Sequence, residues 1–357
     1  MKPRTKRILN LSLILGTLIV VLIIAIRDPD IGNAVKAVRD MAPQWVIGSL
    51  LCFLMFLLMD ALSVRFFLRN QGYRLPLGYM FYVSVAGQYY SNITPGASGG
   101  QPMQIYYLHQ RGVPMGIGTS ALVMRYFCFQ FMLEVFGTVL WIAYGPFVAE
   151  QVGGSMWILV IGYLYNTVTV TGVLVLSLCR PVVRAMARLI IRLGTRLKLI
   201  KDPEKTAASL NKTVDTFHGS MQLLLRHPME LLVQLLLGGL QLLSLMCVIV
   251  CVYKGLGLSG ATPGQLITMN VMEYLSAAYT PLPGASGAQE GVFSLYFGQL
   301  FPGGTRLAGL LLWRFFTYYI SLLIGAVVML TVGLRSGKTL KEISRESDNV
   351  TEVQREQ

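Results

Sequence analysis

Two arginines and two short glycine-rich strings, all set inside apolar sequence, are the positions of this chain with chemistry to offer. Pro95-Gly96-Ala97-Ser98-Gly99-Gly100-Gln101 recurs 188 residues later as Pro283-Gly284-Ala285-Ser286-Gly287-Ala288-Gln289, with six of seven positions identical. Arg125-Tyr126-Phe127 and Arg314-Phe315-Phe316 repeat at nearly the same offset, so an internal duplication is the simplest account. A guanidinium is a planar, bidentate ligand for phosphate, and a pair of them reads as a two-armed clamp for a phosphate group. The competing reading is that both arginines only hold the glycine-rich strings in place. In either case a cation inside hydrocarbon costs at least about 2.5 kcal/mol and needs a partner. Asp60, Glu134, Glu273, Glu290 and free backbone carbonyls are the candidates.

Each string is also a helix break. Pro95, Gly96 and Gly99, and Pro283, Gly284 and Gly287, stop a helix and let the chain turn. Ser98 with Gln101, and Ser286 with Gln289, have the Ser-x-x-Gln spacing of a capping box, which predicts a new helix starting at the serine. Its positive dipole end would attract anions, phosphate among them. Ser98, Gln101, Ser286, Gln289 and Glu290 therefore join Arg125 and Arg314 as candidate head-group ligands. The copies differ where Pro102 faces Glu290, and this carboxylate either neutralises its own helix end or pairs with a cation.

The elements that must position these residues belong in a bilayer. Of the 357 residues, 54% are hydrophobic and 13% charged, too little polar surface for a water-soluble body of this size. Several apolar runs reach the roughly 18 to 20 residues that cross about 30 Å of hydrocarbon. The net charge of +13 does not indicate nucleic acid, because the basic residues flank these runs. The expected fold is an all-α integral membrane protein with about six full transmembrane helices and two re-entrant helical hairpins in an inverted-repeat arrangement. Spans are expected at 8–26, 45–64, 117–147, 156–179, 229–253 and 307–334, and the hairpins near 77–109 and 265–300. The first membrane half is 1–179, a cytoplasmic basic segment covers 180–228, the second half is 229–334, and 335–357 reads as a disordered cytoplasmic tail. In the basic segment Arg180, Arg184, Arg188, Arg192 and Arg196 recur every fourth residue, as in an amphipathic helix on an anionic leaflet. Of the 30 Lys and Arg, this topology puts 23 in the cytoplasm, 5 outside and 2 in the membrane, with both termini cytoplasmic. Three spans between the hairpins turn them upside down relative to each other, the pattern of transporters whose site lies between repeats near the midplane.

Trp45, Trp141, Trp157 and Trp313 fall near span ends and read as interfacial anchors, and the five cysteines as small packing residues. No catalytic motif, metal-ligand spacing or cofactor loop is indicated. The expected partners are membrane lipids and anionic phospholipid head groups, with no nucleic acid. A homo-oligomer and docking to a lipid-synthesis enzyme are both left open.

Thr280-Pro281-Leu282-Pro283-Gly284-Ala285-Ser286-Gly287-Ala288-Gln289-Glu290 resembles the Pro-x-Pro-Gly-x-x-Gly-x-x-Glu element of the lysylphosphatidylglycerol synthase/flippase transmembrane family. Asn92 to Pro102 is similar to the corresponding element of its Gram-positive members, and the resemblance covers about Ile8 to Leu334. It implies lipid translocation in a bacterial plasma membrane, since in two-domain relatives this region flips an aminoacylated phosphatidylglycerol made by a soluble domain. No such domain is expected in this sequence, because its largest polar insertion, from Arg180 to Pro228, is too small to fold as an aminoacyl transferase. The leading expectation is movement of a phospholipid or polyprenyl-phosphate-linked lipid between leaflets. Phosphatidylglycerol lysyltransferase activity, an accessory role in that pathway, and a non-transporting scaffold for lipid or cell-wall enzymes are the alternatives.

Overall fold

A computed structural model describes residues 36, 38–179, 181–183, 185, 215, 218, 219, 222, 227–277, 280, 282–302 and 304–335. The expected first span at 8–26, the arginines of the basic segment (Arg180, Arg184, Arg188, Arg192 and Arg196) and the tail beyond 335 lie outside the described residues. The described residues contain helices and no strand. In chain order these are α1 (Pro43–Asn70), α2 (Leu77–Asn92), α3 (Gly100–His109), α4 (Met115–Val152), α5 (Met156–Leu178), α6 (Pro228–Met246), α7 (Val248–Gly255), α8 (Pro263–Ala277), α9 (Ala288–Tyr296), α10 (Thr305–Arg314) and α11 (Ile320–Arg335). Short 3₁₀ turns at Pro95–Ala97 and Pro283–Ala285 separate α2 from α3 and α8 from α9.

Among the described residues, four helical stretches are long and apolar enough to cross a membrane: Pro43–Asn70, Met115–Val175, Pro228–Gly255 and Thr305–Val328. The second is folded on itself. Gly153, at φ 51°, ends α4 and reverses the chain, so α5 packs back along α4. Large apolar side chains cover the outside, with Ile142 at 80%, Val168 at 70% and Val327 at 60% exposed. Polar side chains are inside: Ser49, Asp60, Ser63, Gln234, Gln241, Asn270 and Glu273 are all buried. Water would reverse that distribution, whereas a hydrocarbon solvent selects it. The chain is a membrane protein.

The interior holds together through helix pairs whose contact residues are small or interlocking. α1 touches α2 and α4 of the first half and α6 and α7 of the second, while α8 packs against α4, α5 and α9. Around α1, α2 and α4, Val64, Phe67, Leu68, Met80, Leu108 and Leu122 form one buried cluster. A second forms around α8 to α10, where Phe293 stacks on Phe297 and on Trp313 at centroid distances of 4.6 and 5.3 Å. Trp313 is 2% exposed, so it is a core residue and not the interfacial anchor its position near a span end suggested. The cysteines divide as well: Cys128 is buried, Cys179 exposed, and Cys52, Cys247 and Cys251 are half-buried.

Each 3₁₀ turn joins two helices that pack on each other. In the first pair the approach is close enough that a Cβ at Gly100 would stand 1.9 Å from Ser91 Oγ and 2.6 Å from the Gly87 carbonyl oxygen. The two turns also touch one another. Asn92, at the end of α2, donates to Ser321 Oγ, and Tyr318 donates its hydroxyl proton to the Asn92 carbonyl at 3.2 Å. The halves of the duplication thus meet at their breaks.

Candidate functional site

The backbone of the two breaks is the same up to a point. Gly96 and Gly284 have φ/ψ of 58°/27° and 60°/21°, and the alanines that follow, Ala97 and Ala285, are also left-handed at φ 53° and 49°. Left-handed backbone is costly for a residue with a Cβ, and two in succession make a tight, defined corner. The copies then part, with Gly99 at φ −86° and Gly287 at φ 87°.

The expected capping boxes do not form. Both helices begin two residues after the serine, at Gly100 and Ala288, with Gly99 and Gly287 as the N-cap residues and no Ser-Gln cap at either. The left-handed alanine uses up the residues that a serine N-cap would need. In the first copy Thr94 Oγ1 accepts the Gly99 N–H at 2.8 Å. The aligned position in the second copy is Leu282, which has no acceptor, and there Glu290 Oε2 accepts the Gly287 N–H at 2.6 Å. Pro102 occupies the position aligned with Glu290. Leucine where the first copy has threonine leaves the second turn without the upstream cap, and glutamate where the first has proline supplies a downstream one. Replacing Thr94 with valine should cost about 1 kcal/mol, the usual loss for a cap. A lowered melting midpoint in detergent would show it, and an unchanged midpoint would refute the assignment.

Glu290 has a second bond. Its Oε1 accepts from Arg314 Nε at 2.6 Å, so one carboxylate caps α9 and holds the arginine. Arg314 further donates to Gln289 Oε1, to the Gly284 carbonyl at 3.2 Å and to Ser286 Oγ at 3.5 Å. Its guanidinium lies over the Tyr318 ring at 5.0 Å and the Trp313 ring at 5.8 Å. Every candidate ligand of the second copy is therefore gathered on Arg314.

The first copy is built differently. Arg125 on α4 is paired with Asp60 of α1, not with its own break. Asp60 accepts from Ser84 of α2 at 2.6 Å and from Gln241 of α6 at 3.1 Å, so four helices meet at one carboxylate. Ser98 is exposed and Gln101 half-buried, and neither bonds Arg125. Glu134, also a candidate partner, instead accepts from Asn166 and Thr167 of α5. Glu273 is fully buried and neither of its oxygens has a hydrogen-bond partner. Arg314 lies 189 residues beyond Arg125, one more than the offset of the breaks, and the π-helical turn Phe315–Tyr319 follows it directly. Such a turn admits one inserted residue in a helix.

Between the breaks is a cavity of about 810 Å³. Gly96, Ala97, Ser98, Gln101 and Pro102 line it from one copy, and Gly284, Ala285, Gln289 and Leu282 from the other, with both Arg125 and Arg314. Ser286 and Glu290 are bonded to Arg314 behind this lining. Four lining residues carry a buried polar atom with no partner: Arg125 Nε and Trp313 Nε1 as donors, Gln241 Oε1 and Asn270 Oδ1 as acceptors. An unpaired buried polar group costs roughly 1–3 kcal/mol, and these four atoms are themselves buried beneath the lining, so a ligand reaches them only if their side chains turn toward the cavity. Sequence reasoning missed Gln241, Asn270 and Trp313. The available signal was amide side chains within apolar runs.

Residues 9–325 match the family model for the lysylphosphatidylglycerol synthase TM region. No curated protein matches the chain.

Proposed function

Because the chain belongs to the lysylphosphatidylglycerol synthase transmembrane-region family, we propose that it moves a phosphate-bearing lipid between the leaflets of a bacterial plasma membrane. In this reading the pairs α2–α3 and α8–α9 are re-entrant hairpins, inserted from opposite sides and meeting near the midplane, and both termini are cytoplasmic. The head group occupies the cavity between the hairpins while the acyl chains remain in lipid, so charge crosses the membrane without entering hydrocarbon. The observation that carries the reading is the cavity itself, lined by both breaks and both arginines.

Both guanidiniums already have a carboxylate, so a phosphate meets a neutral site and shares each arginine with Asp60 or Glu290. Such a site favours release, which transport needs as much as capture. The test is reconstitution of the full chain into vesicles containing fluorescent phosphatidylglycerol. If the reading holds, a membrane-impermeant reductant bleaches label from both leaflets, whereas empty vesicles lose only the outer half. Protection of the inner leaflet equal to that of empty vesicles would reject the proposal for this lipid, and polyprenyl phosphate is the second substrate to try.

A further inference from the structure

Glu273 lies on α8 between Asn270 and Tyr274, two residues that line the cavity. It is 0% exposed, and both carboxyl oxygens lack a hydrogen-bond partner. An ionised carboxylate with neither water nor a donor is among the most costly groups a protein can bury, and the neutral acid avoids that cost. The charges that reach it are Arg314 at the end of α10 and Glu290 on α9. Its titratable neighbours are Tyr274 beside it on α8, with Tyr126 of α4 beyond. Tyr296 of α9 shares a hydrogen bond with Ser276, Tyr163 of α5 is bonded to Thr138, and Glu134 of α4 is bonded to Asn166 and Thr167. From α7, Tyr253 accepts the Ala261 N–H, and α6 brings no charge to Glu273 among the described residues.

We propose that Glu273 is a proton-binding site linked to head-group occupancy, so that an anionic lipid engaging Arg314 enters together with a proton on this carboxyl. The inference rests on the reading of the cavity as a head-group site. With Glu273 neutral, the two arginines balance Asp60 and Glu290. If it ionised, the site would carry one uncompensated negative charge, and a phosphate would then add a second beside it. Arg314 cannot serve both anions in full, so the incoming phosphate favours Glu273 as the acid. In the balanced step, at pH values where the empty protein holds Glu273 ionised, one H⁺ taken from bulk solvent ends on a carboxylate oxygen as the phosphate arrives at Arg314, and no other bond changes. Linkage makes the coupling reciprocal: affinity is highest where Glu273 is protonated and falls about tenfold per pH unit once it is not.

The experiment is calorimetric titration of the purified full chain with short-chain phosphatidylglycerol across pH, in buffers of different ionisation enthalpy to count protons. The expected result is uptake of up to one proton per lipid by the wild type, with affinity falling as pH rises. Glu273→Gln, an isosteric stand-in for the acid, should bind with no proton uptake and no fall. An infrared carboxylic-acid band present in the wild type and absent from Glu273→Gln would support the same conclusion. If Glu273→Gln binds and keeps the wild-type proton uptake and pH slope, the inference is overturned while the head-group reading stands. If neither protein binds the lipid at any pH, both fall.

Discussion

Arg314→Ala should slow lipid movement at least tenfold and also lower the melting midpoint, and the two effects are separable. The guanidinium is 3% exposed and organises Glu290, Gln289, Ser286 and the Gly284 carbonyl. Deleting it leaves Glu290 as a largely buried anion without its partner, a type of lesion that costs about 3–5 kcal/mol. Adding Glu290→Gln removes that unpaired charge and should recover much of the midpoint while movement stays slow. Loss of a charge-assisted bond to phosphate is worth about 1.5–3 kcal/mol, hence roughly ten- to a hundredfold in rate. Arg125→Ala should impair movement similarly with a smaller change in midpoint, because Asp60 keeps Ser84 and Gln241 as donors. Arg314→Lys keeps the charge but cannot span all four acceptors, and falls between. Leaflet-resolved bleaching and melting in detergent check the series. Movement at the wild-type rate in both alanine variants would end the clamp, and a double variant no more stable than Arg314→Ala would end the account of Glu290.

The second large effect is expected from glycines that look equivalent. Gly96 and Gly284 have the same left-handed backbone, and alanine there costs about 1–2 kcal/mol from strain alone. Around Gly96 nothing lies within 4 Å of a built Cβ, but at Gly284 the Cβ would stand 2.1 Å from Tyr318 Cε2. That ring is not free to swing, since it is 4% exposed, lies against Arg314 and donates its hydroxyl proton to the Asn92 carbonyl. Displacing it adds about 1–3 kcal/mol of overpacking and disturbs both breaks together. Gly284→Ala should therefore reduce the melting midpoint and lipid movement well beyond Gly96→Ala. Equal effects would mean that Tyr318 moves aside without consequence.

Much of this arrangement is legible in the sequence because composition and glycine placement act locally. The breaks, the helices beside them and the need of both arginines for carboxylates follow from an apolar chain interrupted by a few costly residues. Which carboxylate meets which arginine does not follow, because Asp60 lies 65 residues before Arg125 and only tertiary packing selects it over Glu134. The capping boxes fail for a related reason. Spacing places Ser98 and Ser286 correctly for a cap, but the left-handed alanine before each delays the helix, and the acceptor in the first copy comes from Thr94, five residues upstream of the glycine it serves. Trp313 misled in another way. Nearness to a span end predicts a wet interface, yet here the end folds over the aromatic cluster of Phe293 and Phe297. Glu273 was legible as an acid in an apolar run, though not as one left without a donor.

The exchange of caps between the breaks, Thr94 in one and Glu290 in the other, bears on which way the molecule rests. An inverted repeat with identical halves has two conformations, each the image of the other, and these must be equal in energy. Tying Arg314 to its own corner while Arg125 is anchored to a different helix removes that degeneracy. Under the proposed topology the empty protein favours one facing over its opposite, and that preference sets a direction of readiness before any gradient acts.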